Sequence, residues 1–149
     1  MKVGIIGAGT MGAGIAQAFA RTQKYEVLLC DLNRELAEKG RNKIADTLRH
    51  REEKGKISSR EVCEIMENIT PGTIEDCCDC GLVIEAAIED MGVKKQTFRK
   101  LQDICGDSCI LATNTSSLSI TEIGAGLKKP VVGMHFFNPA PVMKLVEII

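Results

Sequence analysis

Apolar residues along the chain switch between two rhythms, and the switches mark out its elements. "KVGII" at residues 2–6 is a short continuous apolar run that ends in a glycine cluster, and "MGAGIAQAFART" at 11–22 spaces its apolar residues at helical intervals. Residues 2–22 therefore read as strand, tight turn and helix. "YEVLLCD" at 25–31 is again unbroken and β-rich, as a strand covered on both faces of a parallel sheet must be. These segments predict a βαβ unit.

A long polar stretch follows, with Leu36, Ile44, Leu48, Val62, Ile65 and Met66 as its apolar pegs. It predicts two helices, the first ended by Gly55 and the second opened by Ser58 with Glu61 in a capping box. The pair is longer than a usual crossover and is expected to project beyond the sheet. "LVIEAA" (82–87), "CILATN" (109–114) and "PVVGMHF" (130–136) then read as strands, and "VKKQTFRKLQDIC" (93–105) as a helix. The terminal "VMKLVEII" reads as the start of a buried strand whose far end these 149 residues leave uncovered, so an exposed apolar face is expected there. Strands alternating with helices predict one domain over residues 1–149, an α/β doubly wound parallel sheet of the Rossmann type with a helical excursion after its second strand.

Composition narrows the function classes. Charged residues make up 26% of the chain and its net charge is −1, so no basic excess steers it toward nucleic acid. No run of eighteen apolar residues is present, which argues against a membrane-spanning helix. Lys2, an apolar stretch and "AFA" at 18–20 imitate a secretory signal, but Gly4, Gly7, Gly9, Gly12 and Gly14 fall inside the supposed signal helix. The seven cysteines are odd in number and lack the paired spacing of a zinc site. They read as free thiols, which fits a reducing cytoplasm.

"GAGTMG" at 7–12 matches G-x-G-x-x-G, with Thr10 and Met11 completing a loop expected to face a cofactor. Gly7 permits the turn, Gly9 lets backbone approach a pyrophosphate, and Gly12 lets helix pack on strand. The helix N-terminus offers N–H groups and partial positive charge to phosphates. Strand before, helix after, and Asp31 closing the second strand nineteen residues beyond Gly12 turn a weak motif into a dinucleotide-binding signature. Asp31 can accept hydrogen bonds from ribose hydroxyls and would repel a 2′-phosphate, favouring NAD over NADP; it could also cap the next helix, and Arg34 could welcome a phosphate.

With "GAGTMGAGIA", "EAAIEDMGVKK", "NTSSLSITEIG" and "HFFNPAPVMKLVEII", essentially the whole chain resembles the N-terminal domain of the 3-hydroxyacyl-CoA dehydrogenases. The resemblance implies NAD-dependent oxidation of a short-chain L-3-hydroxyacyl-CoA to the 3-oxoacyl-CoA and the reverse reduction, in fatty acid or butyrate metabolism. Alcohol oxidation needs a base for the hydroxyl proton, and histidine is the side chain suited to that near neutral pH. The resemblance makes His135 this base and Glu147 its partner, from neighbouring extended segments joined by "NPAP". It makes Ser116 and Asn138 contacts to substrate and cofactor, although Ser116 or Ser117 could cap a helix and Asn138 could form a turn. Glu89 and Lys94 match positions beside the nicotinamide half of NAD; otherwise they are a solvated first-turn pair. Lys54, with Thr47 on the same helical face, matches a CoA contact, where most such lysines merely solvate a helix. His50, in "LRHREEK", reads as structural.

Family members continue into a helical second domain with dimer contacts, absent from these 149 residues, so an acyl-CoA substrate and a homo-oligomer are expected of the longer protein. The alternatives are a nucleotide-binding fragment without turnover and a related sugar-acid dehydrogenase.

Overall fold

The structure, a computed structural model, describes every residue from Met1 to Ile149. Its centre is β1 (Lys2–Ile6), which pairs in parallel with β2 (Glu26–Cys30) on one side and β4 (Leu82–Glu85) on the other. β3 (Ile69–Gly72) extends the β2 side, while β5 (Ile110–Thr113) and β6 (Val131–Phe136) extend the β4 side. The strand order is β3-β2-β1-β4-β5-β6-β7, with β7 (Val146–Ile148) returning antiparallel to β6. The order reverses between β1 and β4, and the crevice above the carboxyl ends of those strands is where such sheets bind ligands.

Alternate strand residues serve opposite faces, which explains why the strands read as continuous apolar runs. Ile5, Leu29 and Ile84 belong to the core beneath α1 (Thr10–Arg21) and α2 (Arg34–Glu53), whereas Ile6, Leu28 and Val83 belong to the core beneath α4 (Met91–Ile104). The second core also takes Cys30, Cys77, Cys80, Cys105 and Cys109. All seven cysteines are unpaired, and burial, followed by neighbouring Cys109, pushes the Cys105 thiol up to about 12. No helix is long and apolar enough to cross a membrane.

The helix pair after β2 forms where expected. Asn33 caps α2, Gly55 follows it at φ +69°, and Ser58 with Glu61 makes a capping box for α3 (Ser59–Glu67). Its inner face packs back on the sheet. Ile44, Leu48 and Ile65 are buried in the first core, and Arg41 donates from Nε to Ile69 O (2.8 Å) and from Nη2 to Met66 O (2.7 Å), tying α2 to the start of β3. Leu36, read as an apolar peg, is 37% exposed.

The terminal segment exposes an apolar face, as expected. β7 is an edge strand of three exposed residues, since only β6 pairs with it and no element covers its faces. Val142, Leu145, Ile148 and Ile149 are all more than half exposed.

Candidate active site

One cleft of about 960 Å³ opens over the carboxyl ends of the strands. Gly7, Gly9, Thr10, Met11 and Asp31 line one end, and Ser116, His135 and Asn138 stand with Glu89 and Lys94 toward the other. Ten of the residues singled out in the sequence thus come together. Gly12, Glu147 and Lys54 do not line it.

The glycine loop follows directly from β1. Gly7 adopts φ +103°, and a Cβ there would come within 2.7 Å of the Ala86 carbonyl oxygen after β4. Both facts demand glycine. Gly12 lies under the loop, where a Cβ would run into the Gly7 carbonyl; its part is to seat α1, not to face a ligand. Asp31 accepts from the Ala8 N–H (2.8 Å) and the Leu32 N–H (2.7 Å), so its carboxylate fixes the loop while lone pairs remain for a ligand. It does not cap α2, because that position belongs to Asn33. Arg34 lies 3.6 Å from Asp76 Oδ2.

At the other end, the antiparallel register sets His135 directly opposite Glu147, with His135 Nδ1 2.8 Å from Glu147 Oε2. A separation of twelve residues becomes one cross-strand pair because the chain reverses through the loop after β6, where Val142 and Met143 N–H groups both donate to the Pro139 carbonyl. The Asn138–Pro139 peptide bond is cis. The His135 ring packs at 4.8 Å from that of Phe137.

Lys94 is not part of a solvated pair. It is 1% exposed, with Nζ 2.9 Å from Glu85 Oε1 and 3.3 Å from Glu89 Oε2. Burial pushes the Glu89 carboxyl up, but hydrogen bonds from Thr115 and the charge of Lys94 outweigh it and hold the group below the ordinary carboxylate value. Glu89 also accepts from the Ser116 N–H at 3.2 Å. Ser116 itself caps no helix: the cap of α5 (Ile120–Ile123) is Ser119, which accepts from Glu122. Lys54 is the exposed residue that ends α2, outside the cleft, and Thr47 hydrogen-bonds only Lys43 O in its own helix.

Two contributors went unread in the sequence. Asn114 lines the cleft and accepts from the Phe136 N–H (2.8 Å), bracing β5 against the strand that carries His135. Glu85 passed as one polar residue in a buried strand, although a carboxylate there signals a buried partner.

A model of the NAD binding domain of 3-hydroxyacyl-CoA dehydrogenase matches residues 2–149. The chain is 45% identical, over its full length, to 54% of a 3-hydroxybutyryl-CoA dehydrogenase from Clostridioides difficile. It is 46% identical, over 99% of its length, to 31% of a 3-hydroxyadipyl-CoA dehydrogenase from Escherichia coli. The crystal structure of 3-hydroxybutyryl-CoA dehydrogenase from Escherichia coli K12 matches 99% of the chain with a TM-score of 0.92 and 44% identity, the match covering 32% of that protein. The chain spans about half or about a third of the length of these relatives.

Proposed function

The chain belongs to the 3-hydroxyacyl-CoA dehydrogenase family as its NAD-binding domain, and from that premise we propose that it supplies the cofactor site and the base for oxidising an L-3-hydroxyacyl-CoA to the 3-oxoacyl-CoA, and for the reverse reduction. NAD is the cofactor of this domain, and the residues present fit it. A Cβ on Gly9 would meet nothing within 4 Å, so packing within the chain does not require glycine there, whereas close approach of a pyrophosphate does. The Thr10, Met11 and Gly12 N–H groups open α1 without intrahelical acceptors, as an anion site requires. Asp31 favours two ribose hydroxyls over a 2′-phosphate.

Bound NAD supplies the hydride acceptor. The chain supplies the proton acceptor, and the His135–Glu147 pair is the observation that carries this reading. An ionised carboxylate can only accept, so Nδ1 holds the shared proton and Nε2 keeps a lone pair for the substrate hydroxyl. As the carbon loses hydride, Nε2 takes the proton, and the adjacent Glu147 carboxylate stabilises the imidazolium. Ser116 and Asn138 line the cleft on this side, where a hydroxyl and an amide can hold the substrate oxygen. Lys54, on the exposed end of α2, is assigned to a contact with the CoA portion. The longer protein is expected to be a homo-oligomer, and seven unpaired cysteines support a cytoplasmic, reducing setting.

The test is NADH formation from L-3-hydroxybutyryl-CoA by the protein carrying this chain. Turnover with NAD, faster than with NADP, is expected. NAD binding without turnover of the thioester would reduce the chain to a nucleotide-binding module, and turnover of a sugar acid in its place would favour the related dehydrogenases.

A further inference from the structure

Glu85 is the last residue of β4, at the point where the strand order reverses, and it is completely buried. Its carboxylate accepts from Lys94 Nζ on both oxygens (2.9 and 3.1 Å), from the Thr113 hydroxyl (2.7 Å) and from the Ala87 N–H (2.7 Å). Those four bonds use the four lone-pair sites a carboxylate has. Lys94 gives two of its three donors to Glu85 and lies 3.3 Å from Glu89 Oε2 as an ion pair. Glu85 keeps no acceptor for a ligand.

Such a pair is a poor device for stability, because desolvating both charges offsets most of their attraction and apolar residues of similar volume would do as well. What it provides is geometry. Beyond Lys94 comes Glu89, whose Oε1 receives the Thr115 hydroxyl, the Ser116 N–H (3.2 Å) and the Ser117 N–H (3.4 Å). A continuous set of ion pairs and charge-assisted hydrogen bonds therefore joins the end of β4, the first turn of α4 and the loop after β5, and it ends beside the His135 side of the cleft.

We infer that Glu85 is a positioning residue for the nicotinamide half of the cofactor: through Lys94 it sets Glu89, and through Glu89 the Thr115–Ser117 backbone. Lys94 is then the link between the two carboxylates. The inference rests on the NAD-binding reading above and deepens it.

The experiment compares two ligands on the full chain: NADH, followed by its nicotinamide fluorescence, and ADP-ribose, which lacks the nicotinamide. In Glu85→Gln, NADH affinity is expected to fall at least about tenfold, the loss of one charge-assisted hydrogen bond, with ADP-ribose affinity within about twofold of the unaltered chain. Removing one partner leaves Lys94 buried with only Glu89, so the double variant Glu85→Gln, Lys94→Met provides a second test without that unpaired charge, and the same split is expected. Equal weakening of both ligands would leave Glu85 with a scaffold role only, and unchanged NADH binding in either variant would also overturn the inference. Failure of the unaltered chain to bind ADP-ribose would overturn the cofactor reading, and this inference with it.

Discussion

At the Asp31 end of the cleft, the groups offered to a ligand are backbone N–H groups and one carboxylate, held by β1 and β2 in the middle of the sheet. At the His135 end they are side chains, and the histidine's partner stands on an edge strand with three exposed residues. Val3 and Ile5 of β1 are fully buried, whereas Ile148 of β7 is 63% exposed. The difference follows from the tasks. Phosphate binding needs fixed dipoles that do not change during the reaction, and buried backbone supplies them. Proton transfer needs a group that gains and loses charge in contact with substrate, which the rim of the fold allows and its centre does not. The two ends should therefore fail separately.

The largest expected effect is at the chemical end. His135→Gln should lower the rate of 3-hydroxybutyryl-CoA oxidation on the order of 10²–10⁴-fold, the usual loss for a general base; NADH formation measures it, and a rate within a few-fold of the unaltered protein would remove His135 from the role. Glu147→Gln should cost less, about 10–10²-fold in rate, because it removes one charge-assisted hydrogen bond but leaves the base. Steady-state kinetics should place that loss in kcat; a change confined to cofactor affinity would argue against the pairing.

At the binding end, Asp31→Ala should weaken NAD about tenfold and narrow its advantage over NADP, as calorimetric titration of both cofactors would reveal. An unchanged ratio would mean that Asp31 serves only to hold the Ala8 and Leu32 N–H groups. The smallest effect belongs to Arg34→Ala. Arg34 faces Asp76 in an exposed pair, so the NAD to NADP ratio should stay within about twofold. A large shift toward NAD would show that Arg34 leaves Asp76 to receive a 2′-phosphate.

The same contrast governs how much could be read from the residues alone. Gly7, Gly9, Gly12 and Asp31 are legible because their work is done within one βαβ unit, where spacing along the chain nearly determines position in space. His135 and Glu147 carry no such local signal, and only the family resemblance paired them before the register of β6 and β7 did. β3 escaped notice because "ITPG" ends in proline and glycine, which weaken any strand pattern; Pro71 is tolerated because β3 is an edge strand. The terminal segment was legible from composition: "VMKLVEII" has the apolar density of a strand that another element should cover, and its apolar side chains stand exposed here. Glu85 was hidden for a third reason. Its partners Lys94 and Thr113 lie 9 and 28 residues away on different elements, so its satisfied burial is a property of the tertiary structure.

Whether the proposed base takes part in holding the cofactor is most directly tested by titrating NAD into the His135→Gln protein in a calorimeter. An affinity within about twofold of the unaltered protein is the expected result, because in the proposed function His135 acts on the alcohol and is not among the groups that hold the cofactor. A loss of NAD affinity comparable to the loss of turnover would contradict the account, since the residue assigned to proton transfer would then be part of the cofactor site.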